Sequence, residues 1–207
     1  MALIWRVGKD GTSNKTLLSF PSVTGTQTRG RFAIIAHVFV PQSLALHAMK
    51  VSELQDEFIG ELKELLPEWR FVKSNRHFKL KRGNVVWLFH ILCINHESDF
   101  DAVGDVALEY HAGKDRFCTL GAELGNIEGS GQVRFPVSSP DTAISSAKSL
   151  YEFFVQVGQP FLHRFSNPNE VVSTLKLGGK EAILISPLIN QHEIQINRLC
   201  QEYSIGM

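Results

Sequence analysis

The order of periodicities along this chain predicts an α+β fold: one antiparallel meander sheet of four to six strands, with an N-terminal helix and C-terminal helices packed on one face. Three observations lead there. A helical period runs from Val51 to Leu66. Alternation with hairpin signals then extends from Arg70 to Val137. The helical period returns from Ser139 onward.

In the first helix, Leu54, Phe58, Leu62 and Leu65 repeat along one face. Ser52 is the expected N-cap. Glu53 and Asp56 suit the positive end of the helix dipole, Glu57 and Glu61 precede Lys63 on the wet side, and Pro67 stops the run. "RFVKSNRHFKLKRG" then predicts two short strands with a turn at Ser74-Asn75. Phe78 and Leu80 face one way, and His77, Lys79 and Lys81 the other. Gly83-Asn84 is the next turn. "VVWLFHILCI", Val85 to Ile94, is apolar on both faces and predicts a central strand covered on both sides or nearly so. Phe100 to His111 is a further long strand, in which Val106, Leu108 and Tyr110 alternate with Asp105, Ala107 and Glu109. Arg116 to Leu124 is another. "GNIEGSG" is expected as a flexible loop and "QVRFPV" as an edge strand, where Pro136 is tolerated.

Ser139 or Asp141 caps the next helix, with Pro140 in its first turn and a buried stripe of Ile144, Ala147, Leu150, Tyr151, Phe154 and Val155. Gly158 and Pro160 break or bend it. Asn167 and Pro168 open a further short helix. "HEIQINRLCQEY" closes the chain as a helix with Ile194, Ile196 and Leu199 partly buried.

Composition bounds the class. With 207 residues, 43% hydrophobic and 20% charged, the chain can bury a core without disulfides or metal. A formal net charge of zero supplies no global basic field for a nucleic-acid backbone or an anionic membrane. Cys93, Cys118 and Cys200 are odd in number, far apart and without a CxxC pair, which fits a reducing cytoplasm. No run approaches the roughly 20 apolar residues of a membrane-spanning helix.

Residues 1–48 differ from the rest. Arg6, Lys9, Lys15, Arg29 and Arg31 stand against the single acid Asp10, a net charge of +4, and no acid occurs from Gly11 to Ser52. Three origins compete. The first is a targeting peptide built on "FAIIAHVFV", against which stand its late position, Pro41 and the large Leu46. The second is a β-rich arm with "RFAIIAHVFV" as a strand. The third is an upstream segment read in from a mis-assigned start, since "MKVSELQDEF" makes an ordinary opening. The composition break favours the third. The expected organisation is a basic extension over 1–48 and one α+β domain over 49–207.

"ELKELLPEWRFVKSNRHFKLKRGNVVWLFHI" resembles the opening of the bacterial domain of unknown function family 4304, in which a helix leads into a Gly-Phe strand pair. Arg70-Phe71 stands here where the family has Gly-Phe, followed by Lys73 and Phe78. "SSPDTAISSAKSLYEFFVQVGQPFLHRFSNPNEVVSTL" is similar to the capped helix and corner of the same family, so the resemblance spans Leu54 to Leu175. Proteins of this kind often sit in bacterial toxin–immunity neighbourhoods. The resemblance therefore implies a binding role and transfers no catalytic residue.

Two constellations carry chemistry. "HILCINHESDFDAVGD" holds His90, His96, Glu97, Asp99, Asp101 and Asp105, all suitable divalent-metal ligands, at a spacing that matches no H-E-x-x-H or EF-hand pattern. A core histidine at 90 and a solvated turn from 96 to 101 are the commoner roles for such residues. Lys73, Arg76, His77, Phe78, Lys79, Lys81 and Arg82 form a basic strand that fits an acidic partner or RNA, although edge strands also carry lysines against aggregation. No nucleophile elbow or phosphate loop is present.

The expectation is a non-enzymatic cytoplasmic protein that binds and masks a protein partner, an immunity-type role being its most specific form, with no cofactor and no membrane. The alternatives are a metal-dependent hydrolase or nuclease using the His90–Asp105 cluster, and an RNA-binding module using the Lys73–Arg82 strand. The hydrolase needs three ligands to converge. The RNA module needs its lysines beside exposed aromatics.

Overall fold

A computed structural model describes residues 49–206, which belong to one compact unit. The expectations for residues 1–48, including the strand at 31–40, lie outside the described residues. Helix α1 (Val51–Leu65) leads into a meander of β1 (Arg70–Val72), β2 (His77–Arg82), β3 (Val85–Asn95), β4 (Phe100–Ala112) and β5 (Asp115–Glu123). A short helix α2 (Leu124–Glu128) follows, then β6 (Phe135–Val137), α3 (Pro140–Phe153), α4 (Gln159–Phe165), α5 (Pro168–Leu177), α6 (Gly179–Ile185) and α7 (His192–Tyr203). All strand pairs are antiparallel in the order β1-β2-β3-β4-β5, and β6 pairs with the start of β4 beyond the end of β5. The α+β architecture read from the periodicities is the one observed.

Register explains the layering. Antiparallel partners share a face, so Phe71, Phe78, Phe89 and Val106 form one cross-strand row, and Leu80, Trp87, Leu108 and Leu120 the next. The helices cover these rows. Phe58 of α1 meets Phe100 edge-on at 5.8 Å, and Phe154 stacks on Phe89 at 4.2 Å. Tyr110, fully buried, donates its hydroxyl hydrogen to the carbonyl of Phe165, and Trp87 Nε1 donates to Ser166 Oγ at 2.7 Å. Gly104 lies where a Cβ would come within 2.8–3.1 Å of Leu150, Leu124 and Phe89, so the helix layer sits directly on the strand there.

Local chemistry sets most ends. Ser139 caps α3 by accepting from Thr142 N, while Thr142 Oγ1 accepts from the amides of Ser138 and Ser139 at 2.8 Å. Asn167 caps α5, with Pro168 at its first position. Arg76 takes the left-handed conformation (φ 47°) that turns the chain into β2.

Some expectations are corrected. The N-cap of α1 is Lys50, not Ser52: the Glu53 carboxylate accepts from the Lys50 amide at 2.9 Å, and Ser52 already lies inside the helix. "GNIEGSG" is not all loop, because α2 occupies its first half and Gly129 ends it in the left-handed region. Gly158 and Pro160 do not break the chain; a π-turn over Phe154–Gly158 carries α3 into α4. Ile194 is 68% exposed, because Leu199 and Cys200 turn the other side of α7 inward. Strand β3 is central, and its cover is uneven on the face away from the helices: Val86 is buried, Leu88 and Ile94 are half-buried and Leu92 is 43% exposed.

Candidate functional site

That second face of the sheet is the candidate site. Period two dictates its membership. Row by row it carries Val72, His77, His90, Asp105 and Glu123; then Arg70, Lys79, Leu88, Ala107 and Gly121; then Lys81, Val86, Glu109 and Thr119. Leu92 and Val103 form a row on the other side of His90.

The basic strand is divided by the sheet. His77, Lys79 and Lys81 lie on the open face, as the alternation requires. Phe78 does not join them. It is fully buried and packs on Phe71 at 4.9 Å and Phe89 at 6.2 Å, so it is a core residue and cannot touch a partner. Arg76 reaches back to α1, donating to Gln55 Oε1 at 2.9 Å. Arg82 pairs with Glu68 at 3.4 Å and lies over the Trp87 ring, on the helix side. Lys73 is exposed in the turn before β2. With Phe78 buried and Phe71 packed on it beneath Lys63, neither phenylalanine of this segment offers the lysines a stacking platform. Their cross-strand neighbours are Leu88 and Val86.

The histidine–carboxylate cluster separates into two pairs. His90 Nδ1 lies 3.3 Å from Asp105 Oδ2, directly across β3–β4. His96 Nε2 lies 3.4 Å from Asp101 Oδ2, which Arg134 also approaches at 3.3 Å. Four residues of extended strand, about 13 Å, separate Asp101 from Asp105. Glu97 is exposed at the β3–β4 turn, and Asp99 serves it through its carbonyl, which accepts from His96 N at 2.9 Å. Among the described residues no group of three or more His, Cys, Asp or Glu is placed to hold a metal ion. The convergence that the hydrolase alternative required is therefore absent there: strand geometry spreads these side chains along β4.

The structure adds residues that the two motifs omitted. Glu109, buried on the open face, accepts from Arg116 Nη1 at 2.7 Å and lies 3.4 Å from His111 Nε2. Burial pushes its carboxyl up, but the hydrogen bonds from Arg116 and His111 outweigh burial and hold it below the ordinary carboxylate value. Its contribution to stability is thus present above the unfolded-state pKa and is lost as pH falls through the lowered folded value. Glu123 shifts the other way, because burial and the facing charge of Asp105 disfavour its ionised form. His77 is lowered by burial and by His90 and Lys79 beside it, so it is neutral near pH 7. Alternation along β4 had already placed Asp105 and Glu109 together. Arg116 and Glu123 could not be added without the β4–β5 register, nor Arg134 without the pairing of β6 with β4.

At one corner, Lys79, Lys81, Val86 and His111 and the turns at Gly83-Asn84 and Gly113 line a depression of about 230 Å³. That is below the ~300–1,000 Å³ of typical small-molecule sites. The arrangement suits contact with a surface better than enclosure of a substrate. No helix among the described residues is long and apolar enough to cross a membrane. Comparison with family models, with curated proteins and with solved structures gave no match.

Proposed function

We propose that this chain is a non-enzymatic, cytoplasmic binding protein that masks a protein partner, with an immunity-type role as its most specific form. One observation carries the reading. β1 pairs only with His77–Lys79, so no strand among the described residues borders the outer side of Leu80–Arg82. This free edge carries the cations Lys81 and Arg82, with Arg70 opposite Lys79 where it begins. An acidic extended segment of a partner can add there, taking affinity from backbone hydrogen bonds and orientation from charge. The resemblance to family 4304 agrees with a binding role.

The test is affinity purification of the tagged full-length chain from its native cells, read by mass spectrometry. One stoichiometric protein retained at high salt, and lost with Lys81→Glu combined with Arg82→Glu, supports masking at this edge. Nucleic acid released by salt would favour the RNA alternative. Nothing above background would count against masking.

A further inference from the structure

Two hairpin turns meet at one corner of the sheet. The β2–β3 turn at Gly83-Asn84 is tied to the end of β4 by the amide of His111, which donates to the Asn84 carbonyl at 3.0 Å. The β4–β5 turn at Gly113 follows directly. Both turns line the depression of about 230 Å³, together with Lys79, Lys81, His111 and the buried Val86.

Lys79 and Lys81 are two residues apart on one strand, so both leave β2 on the same face, about 7 Å apart along it. Neither has an ion-pair partner among the described residues. Their cross-strand neighbours Leu88 and Val86 cover the aliphatic stems and offer the ammonium groups no acceptor. The acids around this corner are engaged elsewhere. Glu109, in the same row as Lys81 and Val86, accepts from Arg116 Nη1 at 2.7 Å and lies 3.4 Å from His111 Nε2, and Lys79 acts on it more weakly than either. In the β4–β5 turn Lys114 adjoins Asp115 and offsets its charge. On the helix side Glu68 is matched by Arg82. Arg70, across from Lys79 on β1, adds a further cation and no acid. Lys79 and Lys81 are thus left without a counter-charge. A concave, partly apolar lining concentrates their field. The turns add donors, since the amides of Gly83, Asn84 and Gly113 meet no backbone acceptor among the described residues.

We propose that this corner binds a doubly charged phosphoryl group between the Lys79 and Lys81 ammonium groups, with His111 and the two turns around it. Charge selects the class. A dianion meets both lysines, whereas a single carboxylate would leave one of them unmatched, and lysine binds phosphate as a point charge without needing a fork geometry. Size agrees, because the depression lies below the ~300 Å³ at which drug-sized sites begin and still admits a tetrahedral oxyanion. The site stands apart from the free edge of β2: Lys79 and His111 line it, and neither belongs to the outer side of Leu80–Arg82.

The test is a titration of the isotope-labelled full-length chain with inorganic phosphate, at about pH 8, where the phosphoryl group has lost its second proton. Ionic strength is held constant with chloride, and amide signals are followed by magnetic resonance. Those of Gly83, Asn84 and Gly113 are expected to shift saturably. Lys79→Gln with Lys81→Gln raises the dissociation constant by about tenfold or more, as lost charge-assisted hydrogen bonds require. Lys73→Gln with Lys176→Gln removes the same charge outside the corner and leaves the constant unchanged. The amide spectrum of each double variant reports that it is folded. Phenyl phosphate then identifies the source. Binding as tight as that of inorganic phosphate means that the group arrives as an ester on a larger molecule, and exclusion of the ester means free phosphate; both support the site. Shifts that never saturate, or that both double variants weaken alike, overturn the proposal. A single-stranded oligonucleotide that binds through Lys79 and Lys81 more tightly than either dianion overturns it too, because the corner would then hold a phosphodiester chain.

Discussion

Tyr110 shows how a single side chain ties the layers together. Alternation along β4 places it inward with Val106 and Leu108, which the sequence makes plain. What it does there depends on a residue 55 positions away, because its hydroxyl meets the Phe165 carbonyl at the end of α4. Burial raises its phenol above the ordinary value, so it remains a neutral donor. Tyr110→Phe should cost about 1–2 kcal/mol in urea unfolding, since it leaves a buried carbonyl unpaired at nearly constant volume. An unchanged midpoint would show that the bond contributes nothing. Glu109 repeats the lesson. Its neighbour Asp105 was legible as a candidate ligand, but Arg116, which holds Glu109 ionised, comes from the next strand. A strand pattern states which way a side chain points. It does not state which side chain of the adjacent strand lies opposite.

At the scale of elements, the join between α3 and α4 is the most informative. Gly158 and Pro160 signal a break or a bend, and a break would normally free the helix ends. Instead the wider π-turn absorbs the amide that Pro160 lacks, and the helix continues with a changed phase. The shift brings Gly158 against the sheet: a Cβ there would stand 2.7 Å from Phe154, 2.9 Å from Leu124 and 3.1 Å from Val106. In an exposed helix, glycine to alanine stabilises by roughly 1 kcal/mol. Gly158→Ala should instead destabilise by about 1–3 kcal/mol, through overpacking of these three contacts. A rise in melting temperature would mean that the contact relaxes freely. The strands were more legible than the helix ends. Alternating runs with turn residues between them leave little freedom, and the hairpin turns at Gly83 and Gly113 take the positive φ that glycine permits. The exception is β3, whose apolar pattern reads as cover on both sides: away from the helices Val86 is buried, but Leu92 keeps 43% of its surface.

For the whole molecule, the fold boundary is the property to test. The described core, from Leu54 and Phe58 to Leu199 and Cys200, lies within residues 49–207. A chain beginning at Met49 should unfold cooperatively, with a midpoint close to that of the full-length protein in a thermal melt followed by circular dichroism. A midpoint lower by more than about 5 °C, equivalent to roughly 1–2 kcal/mol for this size, would make residues 1–48 part of the folded unit.

The sequence by itself determined the class of fold, the order of helix, meander and helices, the inward positions of the strands, and the caps of α3 and α5. These follow from local stereochemistry and from the two periods that bury one side of an element. Only the tertiary structure decided which face of the sheet the helices take, that Arg76 and Arg82 turn to partners on the helix side, and that the histidines and carboxylates separate into pairs. Those outcomes rest on cross-strand register and on contacts between residues tens of positions apart. Neither is encoded by the period of any one segment; they are fixed when all segments compete for the same buried space.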